Sequence, residues 1–420
     1  MTIPLNPQPA MPGPAFQGLP LDTACAQAAA FANVIQETES VALAQAVGRC
    51  LAQDVVARRA CPDRDLSAMD GYAVATACNL GAGTHLKIEG RIAAGDVAES
   101  LADGTAARIF TGAAIPAGAG AVVMQEHAKR DGAFVILERP VAMGENIRRR
   151  AEDVAPGDLL LREGQRLNAR GVAIVAAQGI DRLVVRRPVR VAILSTGNEL
   201  CHAQGDCVPA TGALDSNRPM LLALAAAQGL TAADAGCVPD DPSALADHLR
   251  RLAERCDLIV TTGGASVGEE DHSATALRLA GGTGATLKMA LKPGKPAIVG
   301  RIGAATYLGL PGNPLAALVS WSLLGNAVFA RLEGRAVTRQ PGCPMPIRLA
   351  LRRKPGRTEF IPARIHGGPG GLELELLAGN SARLRPLLDA DGFVELPETL
   401  TEAQPGHRLA FHPFERQFAV

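Results

Sequence analysis

Two rhythms of apolar residues run along this chain. From Pro188 onward, short apolar runs alternate with stretches at helical spacing. Segments 189–194, 232–238, 258–260, 286–291, 297–299 and 306–308 read as strands; 219–228, 243–255, 273–280 and 314–332 read as helices, with Ser243 as an N-cap. Such alternation predicts a parallel or mixed sheet with helices on both faces. Before it, 57–155 carries short β-type runs, 121–124 and 134–137 among them, punctuated by Gly, Pro and Asp turns. Segment 21–51 reads as an amphipathic helix followed by a short segment at 46–48, and 171–178 is helical again. The last ~80 residues return to two-residue alternation at 372–376 and 393–396.

The expected organisation is multidomain α/β plus β. A flexible tail covers 1–18. Residues 19–56 and 154–187 form one discontinuous, elongated helical linker domain, interrupted by an inserted β-rich domain at 57–153. A central doubly wound α/β domain spans 188–335, and a C-terminal β-barrel spans 336–420.

Composition adds limits. With 420 residues the chain exceeds a single ordinary core. Lys plus Arg and Asp plus Glu both number 42, so net charge is zero, and aromatic residues are only 3%. A nucleic-acid binder would carry a basic excess and stacking aromatics, so none is expected as a partner. The basic runs at 148–150 and 352–354 read as solvated surface. Nine cysteines, with no C-x-x-C pair, fit a reducing cytoplasm. The Pro-rich N-terminal stretch has no apolar signal core, and no uninterrupted run is long enough for a membrane span.

Candidate chemistry gathers where α/β sheets bind ligands, beyond the carboxyl ends of strands. One expected strand runs into Ser195, Thr196, Gly197, Asn198 and Glu199. A second runs into T-T-G-G-A-S-V-G, with Gly263, Gly264 and Ser266. A third runs into Pro311, Gly312, Asn313 and Pro314. Glycines permit close backbone approach and amides aimed at an anion. Glu199, Asp240 and Asp271 lie in or beside these loops. Each alone reads equally as a solvated carboxylate or helix cap, and together they suit Mg²⁺. Lys288 and Lys292, placed on one strand face, and Lys295 in the turn beyond read either as solvated charge or as a cradle for a phosphate or oxyanion. No Ser-His-Asp or Cys-His arrangement emerges.

In the β-rich region S-A-M-D-G-Y-A-V and R-I-F-T-G-A-A-I-P stand out. With G-E-N-I-R-R-R-A-E-D, S-T-G-N-E-L, T-T-G-G-A-S-V-G-E-E-D, K-P-G-K-P, L-P-G-N-P and R-T-E-F, in that order, the chain resembles the molybdopterin molybdenumtransferase family, which includes MoeA and the C-terminal domain of gephyrin. The resemblance implies insertion of molybdate into the dithiolene of adenylylated molybdopterin, with release of AMP and a divalent metal such as Mg²⁺. It implies a homodimer whose sites are shared between subunits, and other proteins of the same biosynthesis as further partners. It singles out Asp70, Thr111 and Asp153 from the β-rich side. From the α/β side it singles out Glu199, Asp240, Asp271, Lys288, Lys292, Lys295, Pro311 and Pro314, and from the C-terminal region Ser381. Asn198 stands where the family commonly has Asp, Ala265 where Val is frequent, and Arg385-Pro386 replaces a small polar pair after Ser381.

Two other readings follow from the same residues. A molybdopterin adenylyltransferase would share the Gly-Gly strand end but lacks the β-rich region. A non-catalytic molybdopterin-binding scaffold would match the gephyrin likeness, although every charged site position is retained here.

Overall fold

The computed structural model describes residues 18–76, 79–201, 213–263, 272–294, 296–368, 370–377 and 383–414. Gly264, Ser266, Asp271, Lys295 and Ser381 lie outside the described residues.

The central sheet has six strands: β1 (Arg190–Thr196), β2 (Thr231–Val238), β3 (Leu258–Thr262), β4 (Thr283–Lys288), β5 (Pro296–Ile302) and β6 (Ala305–Leu310). Their order is β2-β1-β3-β6-β5-β4, parallel from β2 to β6 and antiparallel at β5 and β4. All residues of β3 and β6 are buried, which explains why their sequences read as continuous apolar runs. Alternate residues feed two cores. Ile193, Leu258, Val260 and Leu308 face helix Asn217–Ala227 and the Pro314–Leu332 helix; Leu194, Ile259 and Tyr307 face helices Pro242–Ala253 and His272–Leu279.

The Pro314–Leu332 helix is mostly apolar, with Ser322, Asn326 and Arg331 exposed, and 78% of its apolar window is buried, as befits a core helix. It contains a π-turn at Trp321–Gly325, where the Gly325 backbone lies against the indole of Trp321. Trp321 meets Phe329 edge-on at 4.9 Å.

Several expected elements are redrawn. The amphipathic helix expected within 21–51 covers Leu21–Ala30, which packs on the α/β core rather than on the linker. The chain then extends, and Thr38–Ala42 pairs antiparallel with Arg182–Arg186, a long-range partner that overrides weak local strand propensity. Asp241, not Ser243, caps its helix: Pro242 occupies the first helical position, so the residue before it carries the capping carboxylate, which accepts from Ser243 N–H. The strand expected at 286–291 is split. β4 ends at Lys288, Leu19 bridges to Met289, and Leu291–Lys292 pairs in parallel with Thr358–Gly368 of the C-terminal sheet. Lys288 and Lys292 therefore do not share a strand face.

The β-rich region is a six-stranded sheet with strands Ala119–Met124, Gly71–Ala75, Thr105–Ile109, His85–Ile92, Phe134–Leu137 and Ala128–Asp131 in that order. Tyr72, Val74 and Val123 pack one face, Ala73, Ile109 and Val122 the other. Between this sheet and the α/β core lies a small cluster of Leu51, Val55, Leu167, Val175 and Val185 around helix Ala169–Ala177. The junction to the α/β core is ionic: Glu333 receives Arg166 and Arg335, and Asp257 receives Arg187 and Arg190. Burial pushes the Asp257 carboxyl up, but hydrogen bonds from Arg187 and Arg190 outweigh it and hold it below the usual range.

Candidate functional site at the strand ends and the Asp70–Thr111 loops

Register brings the carboxyl ends of β1, β3 and β6 level, with Ser195 beside Thr262 and Thr262 beside Leu310. The strands run further than their sequences suggest, so Ser195, Thr196, Thr261 and Thr262 are buried strand residues rather than loop. Gly263 follows with φ +97°, and a Cβ there would lie 2.1 Å from the Thr196 carbonyl oxygen. Gly312 sits on the other side, its hypothetical Cβ 3.5 Å from Gly263 Cα. Two loops thus approach closely; position 263 admits only glycine, whereas a Cβ at 312 would make an ordinary contact.

Asn217 stitches the seam. Its Nδ2 donates to Thr262 Oγ1 at 2.8 Å and to the Gly312 carbonyl at 2.7 Å, while Thr262 Oγ1 donates to the Pro311 carbonyl at 3.2 Å. Ser195 Oγ, Thr196 Oγ1 and Asn217 Oδ1 are buried and have no hydrogen-bond partner among the described residues. Buried polar atoms of this kind are normally satisfied, so three beside one seam call for a polar partner, water or ligand. Sequence reading missed Asn217. Its signal was the S-N-R-P start of a helix, read as beginning later, at Pro219. Asn313 caps the Pro314 helix with its side chain, accepting from Ala316 N–H at 3.2 Å.

Glu199 lies in the turn after β1 and Asp240 in the loop after the adjacent β2, where it bonds Asn198. The Glu199 carboxylate lies across Gly197, whose hypothetical Cβ would be 2.9 Å from it. Asp240 and Asn198 exchange hydrogen bonds: Asn198 N–H donates to Asp240 Oδ2 at 3.2 Å, and Asp240 N–H to Asn198 Oδ1 at 3.1 Å. Both bonds use the residue 198 backbone N–H and one side-chain oxygen, so an Asp at this position would preserve them. A small cavity lined by Gly197, Asn198, Cys237 and Pro239 adjoins. Burial pushes the Cys237 thiol up, with the charges of Asp215, Glu199 and Asp240 adding to it and that of Arg218 opposing. Two carboxylates on the neighbouring turns after β1 and β2 suit a hard cation, which takes one or two carboxylates plus substrate oxygens. Among the described residues no group of three or more His, Cys, Asp or Glu forms a metal cage.

The lysines part company. Lys288 is exposed at the end of β4. Lys292 is cross-strand from Glu359 and ion-paired to it at 2.6 Å.

On the β-rich sheet Asp70 and Thr111 form a unit. Thr111 N–H and Oγ1–H donate to Asp70 Oδ1 at 2.8 and 2.7 Å. That backbone bond, then the hydroxyl bond, hold the Asp70 carboxyl below the usual carboxylate range. Asp153 is exposed, and its backbone N–H donates to the Cys61 carbonyl at 3.1 Å. In the same loop Arg148 pairs with Glu152 and Arg149 with Asp65, and Asn146 and Ala151 hold positive φ of 53° and 62°. Such strain collects at functional loops.

Residues 19–179 match the MoeA N-terminal region (domain I and II), 192–331 a probable molybdopterin binding domain, and 345–414 the MoeA C-terminal region (domain IV). A molybdopterin molybdenumtransferase of Haemophilus influenzae is 32% identical over 384 residues, covering 90% of this chain and 94% of the relative. Molybdopterin molybdenumtransferase 2 of Mycobacterium tuberculosis is 33% identical, covering 88% and 93%. The crystal structure of the molybdopterin biosynthesis moeA protein from Pyrococcus horikoshii OT3 superposes with a TM-score of 0.79 at 28% identity, covering 95% of this chain and all of that one. The chain belongs to the molybdopterin molybdenumtransferase family.

Proposed function

We propose that this protein is a transferase of molybdenum cofactor biosynthesis, which inserts molybdate into the dithiolene of adenylylated molybdopterin and releases AMP. The observation that carries the reading is the seam of Gly263 and Gly312, with Ser195, Thr196 and Asn217 offering buried, unsatisfied polar atoms to one ligand. A pterin with its phosphate supplies matching donors and acceptors.

The residues divide the work. The loops of Gly197, Gly263, Gly264, Ser266, Pro311, Gly312 and Pro314 line the substrate, with Asn313 fixing the helix start. Lys288 and Lys295 offset its negative charge, and Lys292, tied to Glu359, presents its ammonium from a fixed position. Glu199 and Asp240, with Asp271, would hold Mg²⁺; its chemistry is to neutralise charge on the leaving phosphate. Asp70, kept ionised by Thr111, orients substrate oxygens or water, and Asp153 and Ser381 close the site. Asp70, Thr111 and Asp153 come from the facing subunit of a homodimer. A reducing cytoplasm and other cofactor-assembly proteins as partners complete the reading.

The test is AMP release from adenylylated molybdopterin by the wild-type protein, with and without molybdate. Release that depends on molybdate is expected. Consumption of ATP without molybdate would assign adenylyl transfer instead, and binding without any turnover would assign a scaffold.

A further inference from the structure

Beside the Asp70–Thr111 pair lies a basic, aromatic patch that none of the roles above uses. Arg91 and Arg108 are paired residues on adjacent parallel strands of the β-rich sheet, and Tyr72 is paired with Arg108 on the other side. Like charges directly across a sheet destabilise it. Neither arginine has an ion-pair partner among the described residues. Both guanidinium groups instead lie over the Phe110 ring, at 4.6 and 4.9 Å from its centroid, and Arg108 also lies 5.4 Å from the Tyr72 centroid.

Arg108 is held from several directions. It donates to the Gly71 carbonyl at 3.1 Å and to Gln125 Oε1 at 2.6 Å. Gly71 follows Asp70, and Phe110 precedes Thr111, so Arg108 braces both arms of the Asp70–Thr111 unit. Arg91 is exposed, and its fixed elements are the strand beneath it and the Phe110 face. The result is a forked donor set without a carboxylate in ion-pair range, pre-ordered by an aromatic ring.

We infer that Arg91, backed by Arg108 and Phe110, is a binding site for a tetrahedral oxyanion next to Asp70. Under the function proposed above, on which this assignment rests, the oxyanion is either the incoming molybdate or the phosphate of the adenylyl group. Arg91 makes the contact, and Arg108 is a positioning residue that also offsets the Asp70 charge.

The experiment is calorimetric titration of the full-length protein with inorganic molybdate in one arm and AMP in the other, using wild type, R91A, R91K and R91E. Arg91 is exposed, so the variants should keep the wild-type melting temperature. R91A should weaken one of the two anions by about tenfold or more, as loss of a charged hydrogen bond does. R91E should weaken it further, and R91K should restore part of it. The arm that responds identifies the anion. Wild-type affinity for both anions in R91A and R91E overturns the assignment, as does failure of the wild type to bind either. The functional reading is judged apart: wild-type turnover with unchanged binding in R91A sinks only this site, whereas Arg91-dependent binding without molybdate-dependent turnover sinks only that reading.

Discussion

At the ends of β1, β3 and β6 the site is built from backbone and buried hydroxyls; at Asp70 and Thr111 it is built from exposed side chains on one edge of another sheet. The first half cannot be altered without disturbing the sheet that creates it. Gly263 is squeezed against Thr196, and Asn217 ties the end of β3 to the Gly312 loop. The second half rests on a carboxylate and a hydroxyl that solvent already reaches. One half should therefore couple stability to activity, and the other should separate them.

Gly263→Val gives the largest expected effect. Its Cβ would overlap the Thr196 carbonyl at a positive φ, costing about 2–4 kcal/mol by strain and overpacking. Turnover should vanish and the melting temperature should fall, read by calorimetry beside the AMP assay. Asp70→Ala draws the contrast: turnover should drop to background while the chemical-denaturation midpoint stays within about 0.5 kcal/mol of wild type, as for most exposed sites. A comparable loss of stability in both variants would erase the distinction. Asn217→Ala sits between them, leaving Thr262 and the Gly312 carbonyl without their donor at about 1–3 kcal/mol. Its KM for adenylylated molybdopterin should rise.

The smallest effect concerns protons. Thr111 lowers the folded-state pKa of Asp70, so the associated stability is present above the unfolded carboxylate value and is lost as pH falls through the folded one. Thr111→Val removes the hydroxyl donor and leaves the backbone N–H. The Asp70 titration, followed by carboxyl-carbon NMR, should move up toward the ordinary range. An unchanged titration would mean that the hydroxyl bond contributes nothing to holding the carboxylate.

What the sequence made legible follows the same divide. Apolar runs in β1, β3 and β6 announced a two-faced sheet, and glycines at their ends announced close loops. Strand ends were misplaced, because Ser195, Thr196, Thr261 and Thr262 look polar in sequence yet are buried by their neighbours in register. Asn217 was invisible because its partners lie 45 and 95 positions away. Lys292 seemed free because nothing local reveals that its strand crosses to the C-terminal sheet and meets Glu359. Arg91 and Arg108 are 17 positions apart and converge only through parallel strand pairing, which short-range patterns do not encode.

The central claim is that these two unlike regions, one from each subunit, make a single site. Asp70→Ala and Glu199→Ala are each expected to lack molybdate-dependent AMP release. Mixed under conditions that let subunits exchange, half of the dimers would carry both lesions on one face and none on the other. Release should then recover to about one quarter of wild type, as closed two-fold symmetry requires. No recovery, with exchange demonstrated by differential labelling, would contradict a site shared between subunits.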